Sequence, residues 1–161
     1  MTEPTILLLA GSRALTEPGI VPATLADIAF NIAVGPITIR HGACPGKTSA
    51  DQAASDWITS IGHRYGVTED PMPADWDNCA PNCPTTPGHR KAKKPGDTAH
   101  PGLLDDYCPS AGPRRNKAMT LKQPRPAWMV AFPEPGQPSY GTRNCVRLAE
   151  QAGIRVRTIT A

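Results

Sequence analysis

Cys79 and Cys83 are separated by three residues, a turn-sized spacing at which two thiolates can grip one metal ion. His89 and Cys108 follow within a loop able to close around the same ion, giving a Cys3His set, with His100 as the substitute fourth ligand. Four N or S donors are what tetrahedral zinc takes, and three thiolates quench the Lewis acidity that an open catalytic zinc needs, so the expected role is structural. Pro81, Pro84, Pro87, Gly88, Pro95, Gly96, Pro101 and Gly102 punctuate the segment, which has almost no apolar content. It cannot fold by burial, and metal-binding free energy would become its folding free energy. Five cysteines is an odd number, which in a reducing compartment reads better as metal than as disulfides.

Other residues suggest anion binding. Gly11-Ser12-Arg13 combines a glycine that lets backbone approach a phosphate with a hydroxyl donor and a charged fork. His41-Gly42-Ala43-Cys44-Pro45-Gly46-Lys47-Thr48 invites comparison with a phosphate-binding P-loop, but His41 occupies the place of the first glycine, which excludes that motif. A glycine-bearing loop leading to Asp51 remains, suited to a phosphate or ribose contact. Gly112, Arg114, Arg115 and Asn116 cluster at one expected helix start, and Gly136, Ser139, Gly141 and Thr142 precede or open another. Both are anion-binding arrangements.

These loops need elements to hold them. Thr5 to Ala10 is a continuous apolar run ending at glycine, as expected of a central parallel strand buried on both faces. Helical spacing follows from Val21 to Ile32, then a short strand at Pro36 to Ile39 and a helix from Thr48 to Ile61 capped by Thr48 or Ser49. A weak strand at Tyr65 to Glu69 leads into an insertion over residues 77–109. Beyond it the pattern gives a helix at Pro113 to Leu121, a strand at Ala127 to Phe132, a helix at Thr142 to Gln151 and a strand at Arg155 to Thr160. The alternation predicts an α/β fold across residues 1–161, Rossmann-like, with a mostly parallel sheet flanked by helices and ligands at the carboxyl ends of the strands.

In this order, Gly11-Ser12-Arg13, His41-Gly42, Ala50-Asp51, Pro73-Ala74-Asp75-Trp76, Ala111-Gly112 with Arg115-Asn116 and Met119, and Gly141-Thr142 resemble the SLOG superfamily. The nearest likeness is to its YspA-like group, DUF2493, found in actinobacteria and their phages. The resemblance implies a site for nucleotides or nucleotide-derived signals, and homo-oligomers paired through helices. The chain is also distantly similar to LOG-type phosphoribohydrolases, where Arg115 and Met119 match an Arg and Met of the family pattern. In those enzymes a Gly-Thr-x-x-Glu loop supplies a glutamate that works on an N-glycosidic bond. Cys145 stands at that place here, so binding carries over and the catalytic carboxylate does not. Cys145 is expected to be a buried helix residue.

The expected function is therefore binding of a nucleotide-derived small molecule, as sensor or sequestering protein. An enzymatic alternative is an N-glycosidase using Asp51 or Glu134, with Arg115 as catalytic partner. A third is a zinc-supported nucleic-acid binder using Arg90 to Lys94. The net charge of +3 is far weaker than a dedicated nucleic-acid binder carries, which argues against that partner. Thr5 to Ala10 is too short for a signal or membrane-spanning core, so a soluble cytoplasmic protein with no membrane partner is expected.

Overall fold

The computed structural model describes residues 2–161. Seven strands and four α-helices appear: β1 (Thr5–Gly11), α1 (Ile20–Asp27), β2 (Ile37–His41), α2 (Ala50–Ser60), β3 (Val67–Pro71), β4 (Lys91–Ala92), β5 (Asp106–Tyr107), α3 (Ala111–Leu121), β6 (Trp128–Phe132), α4 (Tyr140–Gln151) and β7 (Arg155–Thr158). Five strands form one parallel sheet in the order β3-β2-β1-β6-β7, which is the Rossmann-like arrangement expected from the alternation. The two short strands β4 and β5 pair antiparallel in a separate ladder within the insertion.

Strand β1 shows why a continuous apolar run belongs at the centre. Leu7 and Leu9 point to one face, packing with Val21, Leu25, Ala54 and Ile58 of α1 and α2. Leu8 and Ala10 point to the other, against Met119 of α3 and Cys145 and Ala149 of α4. The leucines at 7, 8 and 9 are wholly buried. Gly11 ends the run because α2 crosses there: a Cβ would stand 2.9 Å from the Phe132 Cβ and closer still to that of Ala50.

Boundaries shift modestly from expectation. The first helix hands over to a wider π turn at Ile28–Ile32. Ser49 is the cap of α2, accepting from the Gln52 N–H. Helix α3 begins at Ala111 and α4 at Tyr140, so each starts ahead of its first expected residue. No helix among the described residues is long and apolar enough to cross a membrane.

One buried cation organises the back of the sheet. Arg40 on β2 is 1% exposed. Its guanidinium donates to Asp70 Oδ2 at 2.8 Å, to the carbonyls of Met119 and Lys122 at 3.0 Å each, and to that of Pro124 at 3.1 Å. Carbonyls at the end of a helix lack intrahelical donors, and a cation there also meets the negative end of the helix dipole. Burial works against the Asp70 charge, but Lys122 and Arg40 outweigh it and hold its carboxyl below the usual range. A depressed carboxylate contributes stability above its unfolded pKa, and that stability is lost as pH falls through the folded value. Arg40→Ala is expected to cost ~3–5 kcal/mol in urea unfolding at pH 7, since it orphans three carbonyls and leaves Asp70 with Lys122 as its remaining cationic partner. Asp70→Asn is expected to destabilise at pH 7, the deficit against wild type shrinking below about pH 4.

Candidate functional site

The switch point of the sheet lies between β1 and β6, where successive crossovers run in opposite directions, and in open α/β sheets ligands bind outside the carboxyl ends of strands at such a point. A cleft of about 600 Å³ opens there. Its walls come from Gly11-Ser12-Arg13 after β1, from the start of α3 through Gly112, Arg115 and Asn116, and from the loop entering α4 through Ser139, Gly141 and Thr142. Nine of the residues expected from sequence to bind an anion are thus brought together.

Both helix starts are electrostatically open. Neither α3 nor α4 has an acidic residue in its first turn, and neither N-cap side chain takes a first-turn N–H. Their positive ends are left to attract an anion. The Arg13 guanidinium makes no hydrogen bond or ion pair among the described residues, lying 5.9 Å from the Trp76 ring centroid. It is the uncommitted cation of the cleft. The Ser12 hydroxyl accepts the Ala14 N–H at 3.0 Å and keeps its own proton for a ligand.

Other expected contacts are committed elsewhere. His41 is 2% exposed, its Nε2 facing Glu69 Oε2 at 2.8 Å and its Nδ1 accepting the Ala43 N–H at 3.0 Å. That pairing holds Ala43 in the left-handed region, at φ 54°, and shapes the loop rather than facing the cleft. Arg115 lines the cleft, but one arm of its guanidinium donates to the carbonyls of Gly42 and Met72, and Nε donates to Asn116 Oδ1. Gly42 has no side chain because Arg115 fills the space a Cβ would take. Arg114 turns away to the cysteine cluster, and Gly136 stands outside the walls in a left-handed turn at φ 76°.

Asp51 sits behind the cleft in a recess of about 50 Å³, walled also by Cys44, Met119 and the cleft residues Gly11, Arg13 and Arg115. Its Oδ2 accepts the Cys44 N–H at 3.1 Å. Burial, with the Asp51 charge beside it, pushes the Cys44 thiol up from its ordinary range. Glu134, the other carboxylate weighed for catalysis, is not in the walls: both of its oxygens accept from Thr16. Cys145 packs in the core, where burial pushes its thiol up to about 12.

The cysteine cluster assembles as its spacing predicts. The ligand atoms of Cys79, Cys83, His89 and Cys108 all lie within 4.8 Å of one another. Cys83 Sγ is 3.7 Å from Cys108 Sγ, which is 3.5 Å from His89 Nε2. Metal–sulfur bonds of about 2.3 Å and metal–nitrogen bonds of about 2.0 Å at tetrahedral angles separate ligand atoms by roughly 3.5–3.8 Å, so the group can hold a metal ion. Donors surround the sulfurs: Arg114 reaches Cys83 at 3.3 Å and Cys108 at 3.6 Å, Arg90 reaches Cys79 at 3.4 Å, and the Ala80 N–H reaches Cys83 at 3.3 Å. Burial would raise the Cys108 thiol, but Arg114, His89 and the Ser110 N–H bring it down to about 6.

His100, the substitute ligand, is not in the cluster. Asp97 takes its Nδ1 at 2.8 Å, and its ring stacks on Tyr107 at 3.7 Å, so it becomes a wall of the cleft. An Asp three residues before a His in a turn is the sequence signal that could have assigned it. Arg90, from the basic run, is held by Asp106 at 2.9 Å and by Cys79, which removes one cation from any nucleic-acid face. Residues not singled out beforehand include Asn144, which receives the Asn116 amide at 3.0 Å, and the exposed Tyr140. Both fall within the first turns of α4, where position alone could have found them.

No protein-family model matches the chain, and no curated protein is significantly similar to it. In the folded protein at pH 7, Cys145 is expected to resist maleimide, peptide mapping showing its modification only at the rate of global unfolding.

Proposed function

We propose that the chain binds a nucleotide or nucleotide-derived ligand in the cleft, acting as a sensor or sequestering protein, and that the cysteine cluster holds a structural zinc. The observation that carries the binding reading is the convergence of two acid-free helix starts and the unpaired Arg13 guanidinium on one cleft at the switch point. Phosphate is the group that answers all three. The cleft also has aromatic surface for a base, from His100, Trp76 and the exposed Tyr140. Its volume lies within the range of small-molecule sites.

A binding role fits the chemistry better than glycosidic cleavage. The thiol at the position of the related enzymes' glutamate is buried and stays protonated, and Glu134 is tied to Thr16. Zinc suits the cluster through its donor set of three sulfurs and one nitrogen. It would fix the loop ending at Cys108, whose N–H donates to the Trp76 carbonyl at 2.9 Å, and so would steady the aromatic side of the cleft.

Calorimetry of the metal-loaded protein against AMP, ADP-ribose, NAD and cyclic dinucleotides is expected to find at least one ligand, with Arg13→Ala weakening it about 10- to 100-fold. Silence across that set, or an affinity unmoved by Arg13→Ala, would overturn the reading. Mass spectrometry is expected to show one zinc per chain. Cys83→Ser is expected to lose it and to lower the melting temperature by several degrees.

A further inference from the structure

Asp51 presents a problem that its hydrogen bonds do not solve. The side chain is 6% exposed and stands at the start of α2. One carboxylate oxygen is satisfied by the Cys44 N–H, while the other, Oδ1, is buried with no hydrogen-bond partner among the described residues. Native structures leave few buried polar atoms unpaired, and a carboxylate oxygen is among the costlier ones to strand. The dipole of α2 accounts for a carboxylate in this turn but not for the missing donor. The Cys44 thiol lies alongside, and a thiol is a weak donor.

The recess in front of Asp51 communicates with the main cleft, sharing Gly11, Arg13, Arg115, Asn116, Gly141 and Thr142 with it. Two guanidinium groups in those shared walls disfavour a metal cation at the carboxylate. At about 50 Å³ the recess is roughly a twelfth of the 600 Å³ cleft, so a hydroxyl enters where an aromatic base does not. Asp51 is also the only carboxylate in either set of walls among the described residues. An acceptor with no donor, in a hydroxyl-sized recess beside the cations suited to phosphate, matches the sugar of a nucleotide, where hydroxyls lie a few bonds from the phosphate.

Building on the nucleotide reading of the cleft, we propose that this recess is a ribose-hydroxyl subsite with Asp51 Oδ1 as its acceptor, so that the protein selects ribonucleotides over deoxyribonucleotides. A site built to pair a hydroxyl rejects the analogue lacking it, because its own buried polar group is then left unpaired. The ribose hydroxyl donates to Oδ1, Oδ2 keeps the Cys44 N–H, and the guanidinium groups in the shared walls balance the negative charge.

The test is calorimetry with AMP, ADP and ATP, each against its 2′-deoxy and 3′-deoxy counterpart. At least one deoxy form is expected to bind about 10- to 100-fold more weakly to the native protein. Asp51→Ala is expected to compress that ratio below about threefold, mainly by weakening the ribonucleotide. Should Asp51→Ala fail to fold, Asp51→Asn keeps an acceptor for the Cys44 N–H. Its amide NH2 then stands in place of Oδ1, a donor where the acceptor was, and the ratio is expected to fall several-fold. Equal affinities for ribo and deoxy forms, still dependent on Arg13, would overturn the ribose subsite and leave the nucleotide cleft standing. A ratio unchanged in both Asp51 variants would do the same. Loss of all binding in the native protein would remove the cleft reading and the subsite together.

Discussion

Guanidinium groups bonded to main-chain carbonyls decide where α3 sits, and the cleft depends on that position. The helix offers the sheet few long apolar side chains; of its buried residues, Ala111, Gly112, Asn116 and Thr120 are small or polar and Met119 alone is large. Hydrophobic contact by itself would leave its rotation and depth loosely set. Arg40 instead collects the carbonyls past its C-terminal turn, Arg115 reaches from its first turns to Gly42 and Met72 beyond β2 and β3, and Arg114 fastens its start to the sulfur cluster. Hydrogen bonds are directional where apolar contact is not, so three such ties give α3 one pose.

The same accounting divides the charges of the site between holding and binding. Arg114 and Arg115 stand side by side in sequence, yet one is spent on cysteine sulfur and the Asn78 carbonyl and the other largely on the carbonyls of Gly42 and Met72. Arg13, with no such obligation, leans on Trp76, its guanidinium otherwise unpaired among the described residues. Asp51 is the counterpart on the acceptor side: one oxygen of its carboxylate serves the loop after β2, and the other is buried without a partner among the described residues.

Much of this was legible before any coordinates. A buried parallel strand is apolar at every position, which is why Thr5–Gly11 could be read directly, and cysteines so dense in a Pro- and Gly-rich segment have few uses besides metal. Convergence of the β1, α3 and α4 loops followed from the parallel alternation. What could not be read was competition. A strand-end reading assumes that polar side chains there face a ligand, but bent loops expose carbonyls and N–H groups that claim the nearest partner first. His41 went to Glu69 and the Ala43 N–H in this way, and Arg115 went mostly to Gly42 and Met72. Arg40 was invisible for the complementary reason, since its carbonyl partners lie on a helix end far along the chain and backbone atoms carry no sequence signature. His89 and His100 were separable only through Asp97, which captured the second.

The excursion between β3 and α3 departs from the sheet and returns to it with its own short ladder and almost none of the apolar core. It is held by carboxylate-capped turns at Asp77 and Asp97, by a small cluster around Trp76 and Cys108, and by a cysteine–histidine group that can hold a metal ion, whereas the parallel sheet rests on leucines. Two halves of one cleft wall thus answer to different chemistry: thiol oxidants, and chelators when a metal is held, act on one, denaturants on the other. The molecule therefore has the makings of a two-step melt, in which the Trp76 side of the cleft opens while β1 and its neighbours remain paired. The cleft would then lose its shape well before the fold is lost.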